Sequence, residues 1–353
     1  LKVTASGVPL DDKLFQAIPE RSRPAVRAMD PRGTDYVFAY VHRDAVGQTP
    51  HKHFRVAVNE GWLRYAKFPY PVGNITGTIE RNDDRWDFRD FAGTNGTGRI
   101  FCHGGVLATP EGQHWELNFS GAGVPLDEEL RTALGRPDMA KLWSDVRLRG
   151  MAKEFSARVV RLPHEKKAKL TRLEVHLDEE PTSIEPVWFP YEMKNLKGGF
   201  VYDGNLSRAT SLGRIESVHG RTTVRAGVTC ELGPDGSWRL ALEDLSVDRL
   251  VPDRELIAAL PGRLKNVAAE LKPSGPVNLS GSLELARGPG ADAGFTSQWN
   301  VEFIVHNGAV DVGVKLENVN GAVALAGRYD GRSIRSWGEL DLDSASYNGI
   351  QLT

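Results

Sequence analysis

The feature that most constrains this chain is a repeat of about 120 residues. The segment 68–77, FPYPVGNITG, returns as 189–198, FPYEMKNLKG, and more weakly as 312–321, VGVKLENVNG. This period is much longer than the roughly 20–35 residues of ankyrin, tetratricopeptide or leucine-rich units, so each repeat is a module with several elements of its own. We divide the chain into repeat 1 (1–122), repeat 2 (123–249) and repeat 3 (250–353), the last one truncated.

A second set of matching blocks predicts a short helix near the start of each repeat. The block 7–14, GVPLDDKL, matches 123–130, GVPLDEEL, and more loosely 250–256, LVPDREL. Asp127 is placed to cap the helix of repeat 2, and Pro137 is expected beyond the end of that helix. The apolar stripes contain Leu126, Leu130, Ala133 and Leu134 in repeat 2; Leu10, Leu14, Ala17 and Ile18 before Pro19 in repeat 1; and Ile257 and Leu260 before Pro261 in repeat 3. A poorer helical segment follows each stripe and ends at the turn signals 30–33, 147–150 and 272–275.

Most of the remaining sequence alternates between apolar and polar residues, which is typical of antiparallel strands with one wet face. The apolar positions include Phe54, Val56 and Val58; Leu173, Val175 and Leu177; Trp299, Val301, Phe303 and Val305; and Val310, Val312, Val314 and Leu316. Asp-Gly or Asn-Gly pairs predict hairpin turns at 203–204, 235–236, 307–308, 320–321, 330–331 and 348–349. The predicted fold is mainly β, a long antiparallel meander curled into a groove, with a short helical insert in each repeat.

The predicted helices are too short to cover such a sheet. About eight strands per repeat at about 4.8 Å spacing give about 40 Å of sheet, whereas one short helix covers about 15 Å. The rest of the apolar face must pack on itself or be covered by another molecule, and lipid tails are one such cover. The alternating residues named above, apart from Val310, are therefore the predicted lining of a groove for acyl chains.

Composition excludes several other classes of protein. The chain has 44 Lys and Arg against 46 Asp and Glu, so its net charge of −2 predicts neither nucleic acid nor an anionic membrane surface as a partner. Its two cysteines, Cys102 and Cys230, support neither a disulfide framework nor a metal cage. No run of about 18 apolar residues predicts a membrane-spanning helix. We expect no cofactor.

Three short motifs and two helical blocks of the chain resemble those of a known family. The motifs Asn74–Gly77, Asn195–Gly198 and Asn318–Gly321, with the helical blocks 126–134 and 250–261, are similar to those of AsmA-like proteins, the TamB–YhdP type of bridge-like (repeating β-groove) lipid-transfer proteins. The resemblance implies a taco-shaped sheet with a hydrophobic interior that passes phospholipid or another acyl lipid between envelope membranes without catalysis. It also implies a periplasmic location and an inner-membrane anchor N-terminal to this chain, which would then be a central excerpt.

Other chemistries have weaker support in the sequence. His42, His51 and His53 lie around a loop, but no carboxylate or cysteine completes a known metal-ligand spacing, so we predict no metal site. Segment 103–105, HGG, lacks the GxSxG elbow of an esterase, and segment 93–98 lacks the Lys-Ser/Thr of a phosphate loop. Asp83, Asp84, Asp87 and Asp90 are expected at a charged hairpin tip rather than in a glycosidase site. The alternative function is an extracellular β-sandwich acting as an adhesion or carbohydrate-binding module.

Overall fold

The structure, a computed structural model, describes residues 1–17, 20, 23–134, 137–177, 180, 182–204, 209–233, 235–260, 262–289 and 294–352. The protein is mainly β, with 66% strand and 13% helix. In the described residues, eighteen strands form an antiparallel meander that follows chain order and is not closed. This result confirms the predicted fold class, and the unclosed meander is consistent with the predicted groove.

The first half of the meander contains nine strands. They are β1 (Lys2–Pro9), β2 (Arg32–His42), β3 (His51–Tyr65), β4 (Phe68–Asn82), β5 (Arg85–Asn95), β6 (Gly98–Thr109), β7 (Gly112–Pro125), β8 (Met151–Arg161) and β9 (Lys169–Leu177). The second half contains β10 (Lys194–Asp203), β11 (Ala209–His219), β12 (Thr222–Leu232), β13 (Trp238–Leu250), β14 (Val277–Arg287), β15 (Phe295–Asp311), β16 (Lys315–Tyr329), β17 (Ile334–Tyr347) and β18 (Ile350–Leu352).

A pair of short helices interrupts the meander three times, as the sequence predicts. The pairs are α1 (Asp12–Ala17) with α2 (Arg23–Met29), α3 (Glu128–Leu134) with α4 (Pro137–Val146), and α5 (Arg254–Ala259) with α6 (Gly262–Leu271). Pro137 lies beyond the end of α3, as predicted, and it is the first residue of α4, a position at which proline is common. Ile18, Pro19 and Pro261 lie outside the described residues.

The three inserts begin with the same cap. The carboxylate of Asp11 accepts a hydrogen bond from the backbone N–H of Leu14 at 3.0 Å, and Asp127 and Asp253 accept the corresponding bonds at 2.9 and 2.8 Å. The residue four positions before each aspartate has a left-handed φ angle of 64°, 65° or 55°, at Gly7, Gly123 and Arg249 respectively. The loosely matching block of repeat 3 therefore aligns with the others on its capping aspartate.

The repeated FPY block anchors the helix that follows it in the chain. Tyr191 is buried in one cluster with Met193, Leu256 and Ala259, so it packs beneath α5. Tyr70 is equally buried on β4, the strand that packs against α3, and its pKa rises to about 12 because burial is joined by the nearby charges of Asp127 and Glu129. Each of the two tyrosines thus takes part in a helix–sheet contact, whereas the weaker copy of the block at 312–321 has Val314 at this position.

The repeated N-x-x-G motif is a distortion of the strand rather than a turn. Asn74, Asn195 and Asn318 have φ angles of 51°, 51° and 50°, a left-handed conformation that asparagine tolerates better than most residues. The strand register shifts beside Asn74 and Asn318, as at a β-bulge, and both side-chain amides donate to a hydroxyl on the next strand, Thr94 or Ser346. Bulges bend and twist a strand locally, so the motif places a bend at a repeating position.

Four of the six predicted hairpin signals lie at turns and two do not. The pairs 203–204, 235–236, 330–331 and 348–349 are at strand ends, whereas Asn307-Gly308 lies within β15 and Asn320-Gly321 within β16. Both exceptions coincide with register shifts. At 307–308 the positive φ angle of Asn307, which would suit a hairpin turn, suits a bulge instead, whereas near 320–321 the left-handed residue is Asn318. The predicted strand 310–316 is also wrong: residues 312–314 are a turn, with Gly313 at φ 93°.

The chain divides into two compact units. The N-terminal unit comprises Leu1–Gly135, Met151–His176 and Tyr202–Asn205, and the C-terminal unit comprises Arg136–Gly150, Leu177–Val201 and Leu206–Thr353. The chain exposes 21172 Å² at a mass of 38.8 kDa. Two separate compact globules of half that mass would expose about 17,000 Å² in total, so the units leave more surface uncovered than compact globules do.

Candidate functional site

The C-terminal unit has a sheet face made of apolar side chains. Along one row of this face, the side chain on β13 is buried and the side chain on β17 is exposed to solvent. The strand registers align Val247, Leu279, Phe303, Val323 and Leu340 in one row across β13 to β17. Val247 is 8% exposed, the next three side chains are half-buried, and Leu340 is 71% exposed. Because directly paired residues share a face, the row is a continuous apolar strip that runs from the protein interior to solvent.

Packing explains the covered end of this strip. Trp238, Cys230, Leu232 and Leu285 form a buried cluster against which Leu142 of α4, Trp188 and Phe295 pack. Asp145 of α4 lies beside this cluster and accepts hydrogen bonds from the indole N–H of Trp238 at 3.2 Å and from Arg287 at 2.8 and 3.0 Å. Leu142 and Trp188, from outside the sheet, thus cover β12 to β14 together with Phe295 of β15. The ion pair of Asp145 with Arg287 joins this cover to β14.

The uncovered part, here called the open face, consists of the apolar positions of β15 to β17. Its residues are Trp299, Val301, Phe303, Val305, Val323, Leu325, Leu340 and Leu342. The indole of Trp299 lies against the backbone of Gly327, where an added Cβ would come within 2.5 Å of Cζ2. Four predicted lining residues, Trp299 to Val305, therefore belong to one partly exposed surface.

The remaining predicted lining residues of β15 and β16 lie elsewhere. The register pairs Leu316 with Val310, beyond the bulge at Gly308. Val312 and Val314 are in the turn between the strands, 56% and 45% exposed, and the backbone N–H of Val312 donates to the carbonyl of Val314 at 3.1 Å. The period-2 pattern concealed this turn because valines occupy both of its ends.

The N-terminal unit has a comparable strip. The registers align Val37, Val56, Ile79, Phe88 and Leu117 across β2 to β7, with Gly104 between the last two, and every one of these side chains is partly accessible. Its fully buried apolar side chains lie instead on β4, β7, β8, β9, α3 and the segment leading into α3: Tyr70, Ile75, Val124, Leu126, Ala133, Ala152 and Val175.

The predicted lining residues of β3 and β9 differ in exposure. Phe54, Val56 and Val58 are all half-buried on the strip of the N-terminal unit, so a ligand on this face would reach them. On β9, Leu173 is half-buried, but Val175 and Leu177 are only 8% and 9% exposed. The β9 residues therefore contribute mainly to packing in the unit to which each belongs.

A buried acid on the strip of the N-terminal unit was missed by the sequence analysis. Asp35 pairs with Val8 and Val58, is 6% exposed, and its Oδ1 has no hydrogen-bond partner in the described residues. Burial raises the pKa of this carboxyl to about 6. The repeats contained a signal, since the residue two positions after the insert's closing glycine is Asp35 in repeat 1 but Ala152 and Val277 in the others.

The three histidines lie at the end of the β2–β3 hairpin on the opposite, outer face. His51 Nδ1 is 2.9 Å from Asp83 Oδ2, and Asp44 lies 3.4 Å from His51 and 3.6 Å from His42. The hydrogen bond and charge of Asp83 raise the pKa of His51. A pocket of about 260 Å³ is lined by His42, Asp44, His51, Lys52, His53, Asn82 and Asp83. Among the described residues, no group of three or more His, Cys, Asp or Glu has a geometry that would hold a metal ion.

The other candidate motifs occupy regular strands and turns. Asp83 and Asp84 form the turn between β4 and β5, as predicted for a charged hairpin tip. Segment 103–105 lies within β6, and Gly96-Thr97 forms the turn between β5 and β6.

Comparison with known proteins leaves the family open. No family model matches the chain, and no curated protein or solved structure shows significant similarity to it. In the part of the chain that the structure describes, no helix has the length and apolar character needed to cross a bilayer. The apolar and polar surfaces of the sheet are therefore the features from which a function can be inferred.

Proposed function

We propose that this chain is a non-enzymatic lipid-binding and lipid-transport scaffold of the bacterial envelope, of the AsmA-like type. The observation that carries the proposal is the open face of the C-terminal unit. There a row of paired apolar residues continues outward from a packed core and becomes progressively accessible to solvent. In this account the protein is periplasmic and is tethered to the inner membrane by an N-terminal anchor outside this chain.

The dimensions and chemistry of the open face suit an acyl chain. Four strands at about 4.8 Å spacing place Leu279, Phe303, Val323 and Leu340 along about 14 Å. Each methylene that leaves water for such a surface contributes about 0.8 kcal/mol. The side chains of this row supply apolar contact and contain no acid, base or nucleophile, so they suit binding and passage rather than catalysis.

The proposal is tested by placing a carboxylate on either face of β16. Val323→Asp puts it on the open face, whereas the control Ala326→Asp puts it on the outer face, opposite Asn300 and Trp337. We expect native mass spectrometry with a dioleoyl lipid to show at least a tenfold loss of binding for Val323→Asp, because a charge facing hydrocarbon is strongly unfavourable. Ala326→Asp should bind as the unmodified chain does. Equal binding by all three proteins, each folded by circular dichroism, would reject the proposal.

One observation favours the carbohydrate-binding alternative. The rings of Tyr40 and His42 stack at 5.0 Å, and those of His42 and His51 at 5.2 Å, beside the polar pocket at the β2–β3 hairpin. Aromatic rings with carboxylate and amide groups nearby can contact a sugar, although the single meander is not the two-sheet sandwich that this alternative assumed. Glycan-array binding that is lost in Tyr40→Ala and retained in Val323→Asp would favour this alternative.

A further inference from the structure

One row of the N-terminal unit places arginines among aromatic rings at the edge of the apolar strip. The registers align Phe54, Arg81, Trp86, Val106, Trp115 and Arg161 across β3 to β8. We call this set the arginine row. Its members lie two residues from Val56, Ile79, Phe88 and Leu117 on the same strands, without an intervening register shift, so the row shares the face of the apolar strip.

Both arginines are held in place by neutral groups. The guanidinium of Arg81 lies over the rings of Trp86 and Phe54 at 5.1 and 5.8 Å, and that of Arg161 over Trp115 at 5.5 Å. The Nε–H of Arg81 donates to the backbone carbonyl of Asp83 at 2.7 Å, and that of Arg161 donates to the carbonyl of Glu165 at 2.9 Å. These contacts fix the two guanidinium groups without neutralising their charge.

The two acids whose backbone carbonyls accept from these arginines have carboxylates that are engaged with other cations. The carboxylate of Asp83 pairs with His51 at 2.9 Å, and that of Glu165 pairs with Lys169 at 2.5 Å. Within the described residues, neither Arg81 nor Arg161 forms an ion pair with a carboxylate. Each guanidinium thus keeps hydrogen-bond donors and a full charge at the edge of an apolar surface.

Two arginines on the outer face of the same group of strands are paired with carboxylates. Arg89 on β5 pairs with Glu80 at 3.0 Å, and Arg158 on β8 pairs with Glu116 at 2.8 Å. These two outer arginines have the carboxylate partners that Arg81 and Arg161 lack, so the outer pair offers a matched control.

We propose that Arg81 and Arg161 bind the phosphate groups of anionic lipids whose acyl chains lie on the apolar strip of the N-terminal unit. This inference rests on the proposed function and adds the class of headgroup. A guanidinium presents a planar set of donors that matches phosphate oxygens, and its contact with an aromatic ring does not use those donors. Four strand spacings separate the two arginines by about 19 Å, so each arginine serves a different headgroup.

The test compares lipids that share their tails but differ in phosphate. The probes are dioleoylphosphatidylglycerol, dioleoylglycerol and inorganic phosphate, each titrated against the whole chain. The variants are Arg81→Gln with Arg161→Gln, and the control is Arg89→Gln with Arg158→Gln. Circular dichroism and thermal unfolding confirm that both double variants are folded.

We expect the unmodified chain and the control to prefer the phosphate-bearing lipid by about tenfold, the ratio that corresponds to 1.4 kcal/mol. The Arg81/Arg161 variant should lose this preference while binding dioleoylglycerol as before. Raising the salt concentration should weaken the preference in the unmodified chain, because the contact is partly exposed.

The remaining outcomes overturn the inference in distinguishable ways. Equal binding of both lipids by the unmodified chain rejects headgroup recognition but leaves the proposed function intact. Arginine-dependent binding of inorganic phosphate without binding of either lipid identifies a free-phosphate site and rejects both proposals. Unchanged preference in the Arg81/Arg161 variant shows that the arginine row is not the headgroup site.

Discussion

Two regions of the C-terminal unit share one sheet and one apolar face but differ in what covers them. Over β12 to β14, Trp238 and Leu285 are 2% and 6% exposed because Leu142 of α4, Trp188 and Phe295 pack against their cluster. Over β15 to β17, the same alternation leaves Phe303 and Val323 half-buried and Leu340 71% exposed. Alternation therefore determines which face is apolar, while segments distant in sequence determine whether that face becomes a core or a binding surface.

The comparison predicts unequal effects for two tryptophans on this face. Trp238→Ala should destabilise the protein by about 3–5 kcal/mol, because it leaves a cavity in a packed cluster and removes a hydrogen bond to Asp145. Trp299→Ala should cost about 1–2 kcal/mol, because half-buried surface contributes less, and should reduce lipid binding instead. Urea unfolding followed by circular dichroism measures both. Equal losses of stability would mean that the open face is as well packed as the covered one.

In the N-terminal unit, the buried carboxyl of Asp35 should make the stability of the protein depend on pH. The pKa of Asp35 is raised from 3.8 to about 6, so the folded state binds more protons than the unfolded state between about pH 4 and pH 6. Stability from this group is therefore fully present below pH 4 and is lost as pH rises through 6. Asp35→Asn should stabilise the protein by up to about 3 kcal/mol at pH 7 and by little at pH 4.

Paired urea titrations at the two pH values measure this effect as a difference between proteins. Asp35→Val, which introduces the residue found at the equivalent position in repeat 3, should behave in the same way. A stabilisation that is the same at pH 4 and pH 7 would show that the charge of Asp35 is not its cause.

A smaller loss of stability is expected when the N-terminal cap of α5, a helix that packs over the sheet, is removed. Asp253 caps α5, whose Leu256 and Ala259 pack with Tyr191 over the sheet. Asp253→Ala should cost about 1 kcal/mol and speed amide hydrogen exchange in α5, whereas Asp253→Ser should retain most of the stability. Unchanged exchange in α5 would show that the cap does not hold this cover in place.

The smallest change in stability is expected at the solvent end of the row. Leu340→Ser removes a side chain that is 71% exposed, so the loss should stay below about 0.5 kcal/mol. The same change at Leu285, which is 6% exposed, should cost several times more. Thermal unfolding of the two variants compares them directly, and a large loss at Leu340 would reveal cover on the open face.

Local patterns predicted much of this architecture. The repeats located all three helical inserts, the capping Asp127 and the alternating strands, because caps and periodicity depend on residues close in sequence. The Asn-Gly pair at 307–308 was misassigned because a bulge can use the same positive φ angle as a hairpin turn, and the pair at 320–321 also lies at a register shift within a strand. The sequence did not predict which residues of the apolar face are covered. That cover depends on contacts such as the packing of Leu142 against the cluster of Trp238, and these residues are almost a hundred positions apart.

The candidate sites also depend on contacts between residues that are distant in sequence. The alternation identified Trp299 to Val305 as possible lining residues, but could not separate them from Val175 and Leu177, which are buried. The pairing of Asp83 with His51 joins residues 32 positions apart and exists only in the folded strands, whereas Glu165 and Lys169 are close in sequence. Asp35 could have been noticed from the repeats, because the equivalent residues in the other repeats are apolar.

The most direct test of the open face is photo-cross-linking of the full chain with a diazirine-labelled fatty acid, followed by peptide mass spectrometry. The account predicts adducts on Phe303, Val323 and Leu340, and their suppression by excess unlabelled lipid. Adducts concentrated on outward positions such as Glu302 and Arg328, or labelling that unlabelled lipid does not suppress, would contradict it.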